Sequence, residues 1–185
     1  MIELKIPDRK VYFCGQVEQK TVNDAIKDIL SINEQDDKII SEGLNCGITY
    51  NPKPIELIID SYGGYVYQGL GLVNIIKNSK TPVHTIVAGC AMSMGFIMAI
   101  CGHMRFAHQD STFMYHQLWS WSIGPAQQME EDLKENIRLQ EILESITLKN
   151  TKITKSRLAE IRKCKEDWYI TPKEALKLGI IDGII

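Results

Sequence analysis

Two short segments combine a hydroxyl side chain with glycines in a way that suits acyl-transfer chemistry. The segment DSYGG (60–64) follows an apolar run, and AMSMG (91–95) separates a β-like apolar run from a helix-like one. Tandem glycines let N–H groups point at a ligand, and Ser93 at a helix start lies beside unsatisfied N–H groups. Both features suit a serine nucleophile with an oxyanion hole. The spacing alone also fits a helix cap at Ser93 and an ordinary glycine turn.

A serine nucleophile needs a general base and an acidic group that orients the base. His116 follows the apolar run 112–115, which predicts a place at the carboxyl end of a strand, where parallel α/β proteins form their sites. His84 lies inside an apolar strand pattern, and His103 and His108 flank a short strand. The residues therefore favour His116 as the base. They leave the acid open among five candidates: Asp60, Asp110, Asp132, Asp167 and Asp182.

The first half of the chain alternates between strand and helix patterns. A strand is predicted over 10–15, and apolar positions repeat at helical spacing from 22 to 30, with Thr21 as the N-cap. The apolar periodicity disappears over 33–54, which indicates a loop or a small excursion of the chain. A strand over 55–60, a helix over 66–78 and a strand after Pro82 then form a parallel β-α-β unit.

The second half continues this α/β pattern. Residues 81–104 carry no charged side chain and are long enough for a membrane span, but a buried strand followed by a buried helix fits their glycines and Pro82 better. Two short strands follow. The longest helical pattern covers about 124–149 and is expected to project from the body, while TPKE (171–174) predicts a capped helix start before a last strand over 180–185.

Composition excludes several functional classes. The chain has 185 residues, 44% hydrophobic and 24% charged, which excludes a disordered or fibrous protein. A net charge of −2 without basic runs argues against a nucleic-acid partner. The five scattered cysteines lack metal-ligand spacing, so we expect buried free thiols, no metal and no cofactor. Without a signal peptide or membrane span, a cytoplasmic location is expected.

Four motifs, taken in order, resemble the proteolytic subunit of the ATP-dependent Clp protease. They are IIDSYGG, AGCAMSMG, FMYHQ and EDWYITPKEALKLGIID, and the similarity covers about residues 10–185. The resemblance implies a single domain over 1–185 with the crotonase-like α/β spiral of repeated β-α units. It implies a protruding handle helix over about 124–150, by which two rings stack.

The same resemblance implies roles for individual residues. Ser93 is expected to be the nucleophile, His116 the general base and Asp167 the orienting acid, in the chain order that this family uses. The N–H groups of Gly64 and Met94 are expected to form the oxyanion hole. The implied reaction is peptide-bond hydrolysis through an acyl-enzyme, inside a chamber formed by heptameric homo-oligomeric rings. The substrates are proteins or peptides.

The sequence departs from the family pattern in four places. The match begins almost at Met1, so the N-terminal segment that contacts a ring ATPase is expected to be missing, which argues against an unfoldase partner. Residues 36–53 are expected to be an insertion. Tyr62 replaces the proline of the glycine turn. Trp119 and Trp121 fall on the strand that lines the family's substrate cleft, which predicts either altered specificity or packing at a subunit interface.

Three other functions are compatible with parts of the pattern. A phage or prophage head-maturation protease of the same fold would act without an ATPase, which suits the expected lack of the N-terminal segment. A catalytically silent ring subunit would have no need of the full set of Ser93, His116 and Asp167. An acyl-CoA enzyme of the crotonase type would share the glycine turn but would not need the serine and histidine.

Overall fold

The computed structural model describes residues 8–185, which form one seven-stranded sheet with helices packed against it. The elements, in chain order, are β1 (Lys10–Val17), α1 (Gln19–Asn45), β2 (Ile55–Gly64), α2 (Val66–Asn78), β3 (Val83–Met92), α3 (Met94–Ala99), β4 (Met104–Ala107), β5 (Thr112–Tyr115), α4 (Ala126–Asn150), α5 (Lys155–Cys164), β6 (Trp168–Ile170), α6 (Pro172–Lys177) and β7 (Gly183–Ile184).

The sheet is built from parallel strands in the order β1-β2-β3-β4-β7. Strand β5 continues the sheet from the far end of β3, and β6 pairs with β5 in the antiparallel direction. The paired parallel strands β1 to β4 are connected by the helices α1, α2 and α3, as parallel neighbours require, whereas a short loop joins β4 to β5. Phe13, Leu57 and Phe96 are fully buried between the sheet and the first three helices. This arrangement agrees with the predicted parallel α/β class.

Helix α1 is longer than the sequence pattern predicted. It begins at Gln19 with Glu18 as N-cap, so Thr21 is the third helical residue and not the cap, and it runs to Asn45 through the predicted loop. The apolar pattern stops because the inward positions carry polar residues. Asp36, for example, is 2% exposed and accepts two hydrogen bonds from the Arg9 guanidinium, at 2.9 and 3.0 Å. A polar residue satisfied in this way can occupy a buried helical position.

The charge-free segment 81–104 folds as predicted, into strand β3 and the buried helix α3. Among residues 8–185, no helix has both the length and the apolar character needed to cross a membrane.

The expectation for the cysteines was wrong in part. All five thiols are free, but only Cys90 and Cys101 are buried, whereas Cys14, Cys46 and Cys164 are exposed.

Helix α4 differs between its two halves. From Ala126 to about Arg138 its side chains are largely exposed, whereas Leu139, Leu143 and Thr147 in the second half are buried against the body. The first half therefore projects, as the sequence predicted. Helix α5 and strand β6, for which the sequence pattern made no prediction, return the chain to the sheet before the capped helix α6.

Candidate active site

The strand pairings bring three separate segments to one end of the sheet. Strand β3 pairs with β5 so that Met92 lies beside Met114, which places the residues after both strands next to each other. Strand β6 runs antiparallel to β5, with Tyr115 opposite Trp168. The residue after Tyr115 and the residue before Trp168 therefore meet at the same edge. Those two residues are His116 and Asp167.

Ser93 occupies the sharp turn between β3 and α3. Its backbone has φ 52° and ψ −120°, an uncommon conformation for a residue with a side chain. Its N–H donates to the Met114 carbonyl at 2.9 Å, which ties the turn to β5. The hydroxyl does not cap α3; instead Ser93 Oγ lies 2.7 Å from His116 Nε2. This contact distinguishes Ser93 from a serine that merely caps a helix.

His116 connects the serine to the acidic side chain. Its other ring nitrogen, Nδ1, lies 3.6 Å from Asp167 Oδ1, an ion-pair distance somewhat longer than a hydrogen bond. The His116 side chain is 24% exposed and the Asp167 side chain 59%. A displacement of about 0.5–1 Å would bring the carboxylate into hydrogen-bond range. The His116 ring therefore lies between the Ser93 hydroxyl and the Asp167 carboxylate.

The other candidate bases and acids have different environments. His84 packs against Phe106 on the sheet, His103 Nδ1 accepts from the Val83 N–H, and His108 is exposed. Three of the other candidate acids form hydrogen bonds elsewhere. Asp60 accepts from the Cys90 N–H, Asp132 from the Ser122 hydroxyl and Asp182 from Arg105. The fourth, Asp110, is exposed at the surface.

The glycine turn at the end of β2 lies directly against the serine turn. A Cβ added to Gly63 (φ 101°) would lie 2.8 Å from Ser93 Cβ and 3.1 Å from Met94 N. Gly64 (φ 150°) approaches the Val17 backbone just as closely, with 2.4 Å from an added Cβ to the carbonyl oxygen. Only glycine fits this approach. Gly64 and Met94 line the same cavity as Ser93.

This cavity has a volume of about 210 Å³ and opens beside Ser93 and His116. Its walls are mostly apolar and include Val66, Met94, Ile97, Leu118, Tyr115 and Leu143. Trp119, 80% exposed, also lines it, whereas Trp121 lies outside. The shape and lining suit one apolar side chain of an extended ligand.

Burial suppresses competing ionisations near the serine. It raises the pKa of the Tyr115 phenol to about 12, with a further contribution from the Glu144 charge. Burial, together with the bond to Asp60, raises the pKa of the Cys90 thiol to about 11. At neutral pH both groups therefore stay protonated, and Cys90 does not offer a thiolate nucleophile.

Residues 8–185 contain no cluster of three or more His, Cys, Asp or Glu side chains suited to a metal ion.

One contact in the site has no signal in the sequence. The Leu118 N–H donates to Gln140 Oε1 at 2.6 Å, and Gln140 Nε2 donates to Glu144 at 2.9 Å. Gln140 is 8% exposed and so ties the segment after His116 to the buried half of α4. A single glutamine inside a helical pattern does not reveal such a role, because its partner is a backbone group 22 residues earlier.

Comparisons with known proteins agree on one family. The sequence model of the Clp protease family matches residues 2–185. An ATP-dependent Clp protease proteolytic subunit from Deinococcus radiodurans is 31% identical and aligns over 97% of this chain and 81% of its own length. The protein of the same name from Streptococcus mutans is 33% identical and aligns over 97% of this chain and 86% of its own length. An ATP-dependent Clp protease proteolytic subunit 1 from Chlamydia abortus is 30% identical and aligns over 100% of this chain and 91% of its own length.

Proposed function

The chain belongs to the Clp protease family and is a serine-type endopeptidase, and from that premise we propose that Ser93, His116 and Asp167 carry out its peptide-bond hydrolysis. The resemblance drawn from the four motifs and the predicted fold class are thereby confirmed. The observation that carries the proposal for the site is the 2.7 Å contact between Ser93 Oγ and His116 Nε2 at the mouth of an apolar cavity.

In the first half-reaction Ser93 Oγ attacks the carbonyl carbon of the scissile bond while His116 Nε2 takes the hydroxyl proton. Charge develops on the carbonyl oxygen, and the N–H groups of Gly64 and Met94 donate to it. One such donor typically lowers the barrier by about 2.7–4 kcal/mol. The His116 imidazolium then protonates the leaving amine, and an acyl-enzyme remains on Ser93. The Asp167 carboxylate holds the ring and stabilises its positive charge.

In the second half-reaction water takes the place of the amine. His116 removes a proton from the water as its oxygen attacks the acyl carbon, and the same two N–H groups bind the second oxyanion. Collapse of this intermediate returns the proton to Ser93 Oγ and releases the carboxylic acid. Apart from the substrate and this water, every group in these steps belongs to the chain.

The cavity beside Ser93 supports a preference for an apolar side chain on the amino-terminal side of the cleaved bond. Among residues 8–185, the only side chain in its walls that can carry a charge at neutral pH is His116. A charged substrate side chain would lose its hydration there without a partner. The nearby Glu144 charge further disfavours an anion in this region. We therefore expect peptides with a mid-sized aliphatic residue at that position to be cleaved fastest.

We propose further that the chain assembles into stacked rings that enclose these sites. The exposed half of α4 supports this, because Met129, Leu133 and Ile137 form an apolar stripe at helical spacing and are 46%, 59% and 52% exposed. Proteins of the family matched here are named proteolytic subunits of an ATP-dependent protease. Their name makes association with a ring ATPase that unfolds substrates part of the proposal, against the expectation drawn above from the N-terminal segment.

The first test is the intact mass of the protein after incubation with a fluorophosphonate. A single adduct per chain, mapped to Ser93, is expected for the wild type, because only a serine activated by a base reacts at a useful rate. The variant Ser93→Ala should form no adduct and should hydrolyse no peptide.

Ser122→Ala is the matched control, since this serine bonds to Asp132 away from the cavity. It should be labelled like the wild type. A folded, assembled wild-type protein that forms no adduct would favour a catalytically silent ring subunit. Hydrolysis that survives in Ser93→Ala would show that the nucleophile lies elsewhere.

A further inference from the structure

The loop that carries Asp167 is short and offers the carboxylate little direct support. Helix α5 ends at Cys164, Lys165 adopts a left-handed conformation (φ 53°, ψ 42°), and β6 begins at Trp168. Apart from the 3.6 Å contact with His116, the Asp167 side chain has no hydrogen bond or ion pair with the rest of residues 8–185. Its position therefore depends on what holds its two neighbours in the chain.

Both neighbours are held by the same side chain. The Arg157 guanidinium donates from Nη2 to Glu166 Oε1 at 2.8 Å. The same group lies over the ring of Trp168, with 4.6 Å between Cζ and the ring centroid. The third contact, from Nη1 to Glu160 at 3.0 Å, orients the guanidinium along α5. Because its fork is planar and rigid, an arginine can hold a carboxylate and an aromatic face together.

Trp168 also connects this contact to the base. It lies opposite Tyr115 in the β5–β6 pairing, one residue before His116. A change in the tilt or register of Trp168 would therefore alter the separation of His116 and Asp167. Arg157 is 28% exposed, so part of its charge is shielded from water. Its bond to Glu166 holds the Arg157 pKa above the ordinary value, and the guanidinium stays charged at any working pH.

We propose that Arg157 is a positioning residue, which fixes the Asp167 carboxylate by holding the residues on either side of it. The proposal rests on the proposed function of the Ser93 site. Arg157 touches neither the serine nor the cavity. Its effect on catalysis must pass through Asp167, and that requirement separates a positioning role from a general contribution to folding.

The experiment is a double-mutant cycle read out by the rate of fluorophosphonate labelling of Ser93. Arg157→Ala is expected to slow labelling by about 10- to 100-fold, the order of loss that a displacement near 1 Å causes in an active site. In an Asp167→Ala background, the same substitution should change the rate less than 2-fold, because residues that act as one unit are not additive. Lys163→Ala, which removes a charge from an exposed position on the same helix, should label like the wild type.

The outcomes separate the two proposals. No labelling of folded wild-type protein would overturn the proposed function, and this inference with it. Normal labelling of wild type and Arg157→Ala alike would overturn the inference alone. An equal loss in both backgrounds would also overturn it, because the role of Arg157 would then be structural and independent of Asp167.

A milder substitution keeps the proposal testable if Arg157→Ala does not fold. Glu166→Gln removes the ion pair and leaves the guanidinium over Trp168, and we expect about 3-fold slower labelling. Arg157→Lys keeps the charge but lacks the fork, so its labelling rate should fall between those of Arg157→Ala and the wild type. Both effects should disappear in the Asp167→Ala background, and persistence of either would contradict the proposal.

Discussion

At the scale of single residues, Ser93, the proposed nucleophile, is held in a backbone conformation that costs free energy. Backbone strain of this kind amounts to about 1–3 kcal/mol, and it persists only where the surroundings impose it. At Ser93 the surroundings are the Met114 carbonyl, which accepts its N–H, and the Gly63 backbone, which lies against its Cβ. The strain points the hydroxyl at His116 and away from the end of α3.

A second residue-scale feature is the ion pair between Asp182 and Arg105. Asp182 accepts from Arg105 Nη2 at 2.6 Å and from Nε at 3.0 Å, and the Arg105 side chain is 15% exposed. Nη1 of Arg105 donates to the Asn150 and Gly179 carbonyls. The pair therefore connects β4 with the ends of α4 and α6.

Asp182→Asn is expected to lower the free energy of unfolding by about 1–3 kcal/mol at pH 7, because it leaves a largely buried guanidinium without its anion. The bonds from Arg105 hold the pKa of Asp182 below its usual value. A depressed pKa contributes stability above the unfolded-state value, near 4, and loses it as the pH falls through the folded-state value. Urea unfolding at pH 7 and at pH 3 should therefore show a difference between variant and wild type that shrinks in acid.

The control is Asp37→Asn, which breaks a surface ion pair with Lys80 whose side chains are 48% and 72% exposed. Exposed pairs contribute about 0–1 kcal/mol, so this variant should unfold almost like the wild type at both pH values. A pH-independent loss in Asp182→Asn would show that the carboxylate acts through packing alone.

Residue types and spacing alone predicted part of the site, namely the serine and the histidine, and left the acid open. The position of His116 after an apolar run favoured it as the base, and the structure places it against Ser93. The acid could not be chosen among five aspartates, because the choice depends on the antiparallel pairing of β5 with β6. Pairing between strands that are about 50 residues apart leaves no local pattern. Only the resemblance to a family singled out Asp167.

At the scale of elements, the accuracy of prediction followed the hydrophobic pattern. Helix α2 was predicted with its observed bounds, and strands β2 and β3 with their observed first residues, because their inward positions are apolar. Both strands continue past their predicted ends, β2 through the glycines of the expected turn. The second half of α1 was missed because Asn33, Asp36 and Gly43 occupy inward positions. Buried polar residues satisfied by distant partners erase the signal on which pattern analysis depends.

The end of α5 carries an element-scale prediction. Lys165 adopts a left-handed conformation that glycine adopts at lower cost, and glycine is common after the last helical residue for this reason. Lys165→Gly is therefore expected to raise the free energy of unfolding by about 0.5–1 kcal/mol.

Lys163→Gly is the matched comparison, since it places the same substitution inside α5. This variant should lower the free energy of unfolding, because glycine is unfavourable within a helix. Thermal unfolding of both variants beside the wild type tests the sign of each effect. A loss of stability in Lys165→Gly would mean that the lysine side chain, and not its backbone conformation, stabilises this turn.

At the scale of the whole molecule, α4 divides into an anchoring half and a projecting half. The anchoring half carries Leu139, Leu143 and Thr147 in the body, so removing the entire helix would disturb the fold as well as any assembly. The projecting half exposes the stripe of Met129, Leu133 and Ile137. An apolar stripe of this kind is typical of a surface that another chain covers.

Replacing the three stripe residues with glutamate is expected to separate stacked rings without unfolding the subunit. Burying a glutamate side chain at an interface is strongly unfavourable, whereas an exposed one costs little. Sedimentation should show a particle of about half the mass, with circular dichroism unchanged. Glutamate at Gln127, Gln128 and Lys134, on the polar side of the same helix, should leave the mass as it was. An unchanged mass for the stripe variant would contradict ring stacking through α4.

The order of the proposed triad along the chain has a consequence for when the site becomes complete. Ser93 and His116 lie on segments that leave the ribosome well before Asp167, which waits for α5 and β6. Strand β7, which pairs with β4, also follows Asp167 in the chain. A chain synthesised only as far as α4 would therefore contain the proposed nucleophile and base without the proposed acid. Under this assignment, the triad becomes complete only after α5 and β6 have been added, so hydrolysis should be late to appear during synthesis.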